Sequence, residues 1–216
     1  MPPRALEPAG VALVDKPAGP SSFAIVAQIR RVTGARTGHA GTLDPFATGL
    51  LLILSGRSTK IAPQLVGLDK RYLTTIDLTA TTTTGDPEGD IVERHDAAAD
   101  LELDRLRGAI ELPVPAASAV KIGGERAYRL HRRGVEVEMP VRRSFVHALD
   151  VVGRDEDSVT LDLRVSSGTY VRSIAQALGG HCVTLRRTAV GPFTIDEARA
   201  PDAFALLDEA EVLARL

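Results

Sequence analysis

Five consecutive aliphatic residues, Leu50, Leu51, Leu52, Ile53 and Leu54, offer no polar side chain that could face water. The run is far shorter than the roughly 20 residues that cross a bilayer. An apolar stretch of this length reads as a strand covered on both faces. The rest of the sequence must supply that cover. Its 216 residues are enough for one well-buried domain and too few for two full-sized ones to be the expectation. With 44% hydrophobic residues, no Trp and only 4% aromatics, the core must be mostly aliphatic.

Upstream of the run, Val11 to Val14 reads as a short strand stopped by the turn Asp15-Lys16-Pro17-Ala18-Gly19-Pro20. A helix follows, capped by Ser21 or Ser22, with Ile25, Val26, Ile29 and Val32 at helical spacing and Gly34 as its end. The loop GARTGHAGTLDPFATG then leads into the apolar run. Downstream, Tyr72, Thr74, Ile76, Leu78 and Ala80 alternate with Leu73, Thr75, Asp77 and Thr79, which predicts a second strand. A turn over residues 85–89 and an antiparallel return at Ile91-Val92 come next. Asp100 is expected to cap a helix with Leu103, Leu106 and Ile110 on one face, closed by Pro113 and Pro115. SAVKIGGERAYRLHRRG reads as strand, turn and helix, and residues 141–152 and 159–165 as a long hairpin. A short helix over 169–178 and an amphipathic segment over 202–216 complete the chain. Hairpins interspersed with helices predict an α+β fold on a mostly antiparallel central sheet flanked by helices and loops.

The net charge of -2 excludes coating of nucleic acid by bulk positive charge. Its distribution is uneven. Lys121, Arg126, Arg129, Arg132, Arg133, Arg142 and Arg143 crowd residues 121–143, whereas Asp86, Glu88, Asp90, Glu93, Asp96, Asp100, Glu102 and Asp104 crowd residues 86–104. An electrostatically two-faced molecule is expected. No apolar stretch is long enough to cross a membrane and MPPRALEPAG holds no apolar signal core, so the expected compartment is the cytoplasm. Cys182 is the single cysteine and can form neither an internal disulfide nor a cysteine cluster. His39 has no second ligand at a suitable spacing nearby, so no metal is expected.

The stretch with most chemical content is Gly38-His39-Ala40-Gly41-Thr42-Leu43-Asp44-Pro45. Its glycines permit close approach of a backbone or ligand. Pro45 fixes its own φ and biases Asp44 toward an extended conformation, which would aim the carboxylate in one direction. Composition alone makes this an ordinary turn. Its company changes the reading.

GHAGTLDPFATGLL, together with VALVDKPAGPSS, DKRYLTTIDL, SSGTYVRSIAQALG and LRRTAVGPF, resembles the motifs of the bacterial tRNA pseudouridine-55 synthases, the TruB family. The resemblance spans roughly residues 10–200 and rests on the joint order and spacing of these blocks. It implies a pseudouridine synthase fold in a single catalytic domain over residues 1–216, without the PUA domain that typically follows. It implies an isomerase that converts the T-loop uridine of tRNA, U55, to pseudouridine, acting as a monomer on the T-arm stem-loop without cofactor, metal or membrane.

The reaction breaks the N1–C1′ bond, turns the trapped uracil and joins C5 to C1′. A carboxylate can attack and later leave, as in retaining glycosidases. Asp44 takes that role by resemblance, and attack on the sugar and addition to the base both stay open. Arg172 matches the family's arginine partner of the nucleophile, which would keep Asp44 ionised and oriented. Tyr72 matches the tyrosine against the target base, where the ring stacks and the hydroxyl can assist proton movement. Tyr170 is expected to line the pocket. His39 is expected to fill the space left by the flipped nucleotide. Lys16 is expected to support the active-site loop, and Lys60, Lys121, Arg186 and Arg187 to meet RNA phosphates.

This sequence departs from the family pattern in two places. Only Gly179-Gly180 separates Leu178 from His181, where relatives run longer, and Ala116-Ala117 stands where a bulkier residue is common. Two rivals compete with the synthase reading. A non-catalytic tRNA-folding factor would not need Asp44, Tyr72 and Arg172 together, and an N-glycosidase would release uracil.

Overall fold

The computed structural model describes residues 8–98 and 100–216. The chain divides into a first unit, running to Tyr72 and resuming over Arg186–Leu216, and a second unit, Leu73–Leu185. In the first unit, β1 (Gly10–Lys16) precedes α1 (Ser22–Thr33), whose first turn is capped by the Ser21 side chain accepting from the Ala24 amide. The helix ends at Gly34, where φ is 66° and the N–H donates to the Arg30 carbonyl. Glycine takes this left-handed position without a Cβ clash. Ile25, Val26 and Ile29 are its buried apolar residues.

β2 (Thr37–His39) and β3 (Thr48–Ser55) follow. The glycine-dense stretch reads as continuous loop from sequence, yet Thr37, Gly38 and His39 pair antiparallel with Ser55, Leu54 and Ile53. Pairing of buried β3 amides and carbonyls explains the difference, because unpaired ones would be costly there. On the other edge of β3, β1 pairs along its whole length, from Gly10 opposite Ser55 to Lys16 opposite Gly49. The five aliphatic residues are each 0% exposed. Leu50, Leu52 and Leu54 join Val11, Leu13, Leu65 and Phe193 in one cluster, and strand alternation leaves Leu51 and Ile53 for the opposite face. Full burial of such a side chain contributes about 1.5–3 kcal/mol. After the short α2 (Ala62–Val66), β4 (Lys70–Asp77) begins, with Lys70, Tyr72, Thr74 and Ile76 buried on alternate positions.

In the second unit, β5 (Ala80–Thr82) and β6 (Ile91–Arg94) pair antiparallel around the turn at 85–89 as a two-stranded sheet of their own, so the return at Ile91-Val92 does not resume the sheet that β4 belongs to. The helix expected after Asp100 does not form. Leu103–Leu106 makes a single 3₁₀ turn, Gly108 takes φ 74°, and Ile110 lies in β7 (Gly108–Pro113). The strand wins because β7 finds a full set of partners on a later strand, which three apolar residues at helical spacing cannot announce. β8 (Lys121–Ile122), β9 (Glu125–Arg126) and α3 (Ala127–Arg132) make the small strand, turn and helix unit. The long hairpin is β10 (Val141–Arg154) with β11 (Ser158–Val165), and β10 also pairs with β7 from Val141 opposite Pro113 to Val146 opposite Gly108.

α4 (Val171–Ala177) ends in the two-glycine link. Gly179 takes φ 77°, and a Cβ on Gly180 would stand 2.1 Å from the Asp77 carbonyl oxygen, so the shortened link is a turn built for glycine. β12 (His181–Val190) then completes the strand order β12-β4-β11-β10-β7 of this unit. The far half of β12 belongs to the first unit, where Arg186 and Arg187 pair in parallel with Thr48 and Gly49. β13 (Phe193–Thr194) turns back on β12. Of the final amphipathic segment only α5 (Glu209–Leu213) is α-helical, while Leu207 bridges to Val11. The α+β class and mostly antiparallel sheet follow the sequence reading. Among the described residues, no helix is long and apolar enough to cross a membrane.

Candidate active site

β3 changes partner along one edge, with β2 on its residues 53–55 and β12 on Thr48 and Gly49. The chain from β2 to β3, residues 40–47, carries Asp44. Its backbone carbonyls are accounted for almost one by one. Arg187 donates from Nη2 to Gly41 O at 3.1 Å and from Nη1 to Thr42 O at 3.4 Å. Ser22 donates its hydroxyl to Leu43 O and accepts from the Leu43 amide, both at 2.8 Å. The Ala47 amide donates to Asp44 O at 3.2 Å, and Gly19 N–H to Pro45 O at 2.8 Å. Lys16 Nζ donates to Pro45 O at 3.1 Å and to Ala47 O at 2.7 Å. The loop is therefore pinned at both ends, with Asp44 half-buried between the pins.

Cations shape the electrostatics beneath this loop. Lys16 is 0% and Arg187 1% exposed, and Arg187 Nε also donates to Leu50 O at 2.7 Å. Lys70, 5% exposed, donates to Val66 O and Leu68 O, each at 2.5 Å. Burial, reinforced by the Arg187 charge and opposed by Asp69, pushes the Lys70 ammonium down to about 8. His39 is likewise held below the ordinary imidazole value, first by burial and then by Arg187. A neutral ring suits packing against apolar or aromatic surface. Its Nδ1 is buried without a hydrogen-bond partner among the described residues. Tyr72, 8% exposed, stands on the buried positions of β4, two residues beyond Lys70.

Arg172 belongs to the second unit. It is 2% exposed, and its Nη1 lies 3.3 Å from the Asp86 carboxylate and donates to Thr84 O at 2.8 Å, while Nη2 donates to Ala117 O at 3.1 Å. Asp86 in turn accepts from the Thr84 hydroxyl at 2.6 Å and the Glu88 amide at 3.0 Å. This network fixes the guanidinium. Tyr170, the residue preceding α4, lines a small pocket with Ile110, Leu112, Arg142, Ser144, Thr169 and Ser173 in the same unit.

Of the residues read from sequence, Lys16, His39, Asp44, Lys60, Tyr72, Arg186 and Arg187 fall in the first unit, and Lys121, Tyr170 and Arg172 in the second. Lys60 and Lys121 are exposed. Arg186 grips the Asp15 carboxylate through two nitrogens, at 3.1 and 2.8 Å. Arg187, expected at RNA phosphates, is instead interior, with its donors on main-chain carbonyls. Sequence reasoning missed Ser22, Lys70 and Asp86. Lys70 was within reach, since it extends the alternation of Tyr72, Thr74 and Ile76 by one step. Asp86 sits among seven further acidic residues in sequence and carries no mark of its burial.

The family described as TruB family pseudouridylate synthase (N terminal domain) matches residues 30–171. The chain is 45% identical over 217 residues to tRNA pseudouridine synthase B of Thermobifida fusca (strain YX), covering 91% of this chain and 74% of that protein. It is 41% identical over 223 residues to tRNA pseudouridine synthase B of Arthrobacter sp. (strain FB24), covering 94% and 72%. Among solved structures, a Cbf5-Nop10-Gar1 complex matches with a TM-score of 0.66 at 28% identity over 87% of this chain. The archaeal box H/ACA sRNP Nop10-Cbf5 complex matches with a TM-score of 0.65 at 25% identity over 94% of this chain. This chain spans 50% and 54% of those two structural relatives.

Proposed function

Because the chain belongs to the TruB family of pseudouridylate synthases, we propose that it isomerises the T-loop uridine U55 of tRNA to pseudouridine with Asp44 as the nucleophile. The observation that carries this reading is the pinned loop: Lys16, Ser22 and Arg187 fix the backbone on both sides of one half-buried carboxylate. The names of the relatives, tRNA pseudouridine synthase B, support tRNA as substrate. The chemistry is balanced without a co-reactant. N1–C1′ breaks, C5–C1′ forms, the C5 proton leaves and N1 gains one. Asp44 attacks and is released again. Tyr72 stacks on the base and its hydroxyl serves the proton transfer. Arg172, by the family resemblance, orients the carboxylate. The substrate is the T-arm stem-loop, with Tyr170 in the pocket and His39 in place of the flipped base.

Incubation with unmodified tRNA transcript, followed by carbodiimide mapping or mass spectrometry after cyanoethylation, tests the reading. Pseudouridine at the T-loop position is expected. Asp44→Asn should abolish turnover and keep RNA affinity within several-fold, while Tyr72→Phe should lower turnover more than binding. Arg172→Lys should lower turnover strongly, because a point charge replaces a fork. Binding without product would mean a folding factor, and free uracil an N-glycosidase.

A further inference from the structure

Arg187 and Ser22 are both buried and both direct their hydrogen bonds at the backbone just before Asp44. Arg187 reaches three carbonyls at once, Gly41, Thr42 and Leu50, so its guanidinium ties the loop to the strand β3 that follows it. The fork geometry matters here, because a guanidinium presents its donors in one rigid plane, whereas an ammonium is a compact point charge with rotatable donors. Gly41 adds a second constraint. Its φ is 99°, and a Cβ there would lie 3.6 Å from Arg187 Nη1 and 3.9 Å from Lys70 Cε, so the loop backbone lies close over the two cations. Ser22 completes the clamp from α1 by holding both polar groups of Leu43, the residue before Asp44.

We propose that Arg187 and Ser22 are positioning residues for the isomerisation, a clamp that sets the direction of the Asp44 carboxylate and takes no part in RNA phosphate binding. The proposal rests on the synthase reading given above. Misplacement of a reacting group by about 1 Å can cost about a hundredfold in rate without altering how the rest of the substrate binds. A clamp of this kind therefore acts on turnover and leaves affinity alone.

The test measures single-turnover rate, RNA dissociation constant and its salt dependence for the wild-type chain, Arg187→Lys, Arg187→Met and Ser22→Ala, with thermal melts to establish folding. Arg187→Lys and Ser22→Ala are each expected to lose at least about tenfold in rate, and Arg187→Met more, with affinity within about threefold and an unchanged salt slope. If the Arg187 variants do not fold, Ser22→Ala decides by the same criterion. Rates within about threefold of wild type overturn the clamp. So does a salt slope shallower by about 0.7 to 0.9 in an Arg187 variant, which is the mark of a lost phosphate contact. Absence of pseudouridine with the wild-type chain sinks the synthase reading, and the clamp with it. Wild-type turnover with unaffected variants sinks the clamp alone.

Discussion

Lys70 carries an ammonium into the interior with main-chain carbonyls among its acceptors and Arg187 close enough to oppose its charge. Burial and that repulsion bring it from the ordinary 10.5 to about 8, so the folded chain releases this proton before the unfolded chain does. Between those two values the unfolded state binds more protons, and stability rises with pH. At neutral pH the group is charged in both states and its desolvation weighs against folding. Urea unfolding of the wild-type chain and of Lys70→Met at about pH 7 and about pH 10 isolates the effect, since the other titrating groups cancel in the difference. The wild-type chain should gain on the variant as pH rises. A difference that stays flat would mean that Lys70 is solvated. His39 works in the same direction in its own range: held below 6.5, it takes up its proton more readily in the unfolded chain, so the stability it contributes is lost as pH falls below that value.

The contact between β12 and β3 sets the geometry around the loop that carries Asp44, and Gly49 is where it is tightest. Its φ is 102°, and a Cβ would stand 2.3 Å from the Arg187 carbonyl oxygen and 2.8 Å from the Arg187 nitrogen, both main-chain atoms that cannot rotate away. Gly49→Ala should therefore cost about 3 kcal/mol or more. Gly34→Ala is the control: that glycine also has a left-handed φ, 66°, but nothing lies within 4 Å of a methyl group added there, and it should cost about 1–2 kcal/mol. Comparable losses of melting temperature in the two variants would contradict this account of Gly49. The two glycines also mark how far the sequence could be read. Gly34 was legible as a helix end, because the apolar spacing of Ile25, Val26, Ile29 and Val32 stops just before it, although Val32 itself is exposed. The strands built on alternation or on the aliphatic run were legible for the same reason, a local period. β2 and β7 were not, since what makes them strands is a partner far along the chain, Ser55 to Ile53 for one and Val141 to Val146 for the other. Among the candidate functional residues, Asp44, Tyr72 and Arg172 came from motif order, whereas the hydrogen bond from Arg187 to Gly41 O depends on a buried path that no spacing encodes.

A net charge of -2 makes this molecule a poor candidate for RNA binding by overall attraction, so any salt-sensitive affinity must come from where the cations stand. The interior already holds several of them. Lys16, Lys70, Arg172 and Arg187 are buried, and Arg186 is paired with Asp15, whereas Lys121, Arg126, Arg129, Arg132, Arg133, Arg142 and Arg143 of the 121–143 segment are all exposed. On α3, Arg129 and Arg132 both lie over the Tyr128 ring, at 5.9 and 5.8 Å, and are exposed, while Arg133 is tied to Glu125 at 2.9 Å. Asp86, counted in sequence with the acidic stretch, is itself buried against Arg172 and adds nothing to the acidic surface. Phosphate contacts each steepen the fall of log affinity with log salt by about 0.7 to 0.9. Replacing Arg129 and Arg132 together by Ala should therefore flatten the slope by about 1.5 and weaken binding to the T-arm stem-loop most at low salt. The rate measured at saturating RNA should change little, because neither residue adjoins Asp44 in the chain or in the pinned loop. An unchanged slope would show that α3 faces away from the RNA, and a rate loss at saturation would give its arginines a part in the chemistry that their exposed position does not suggest.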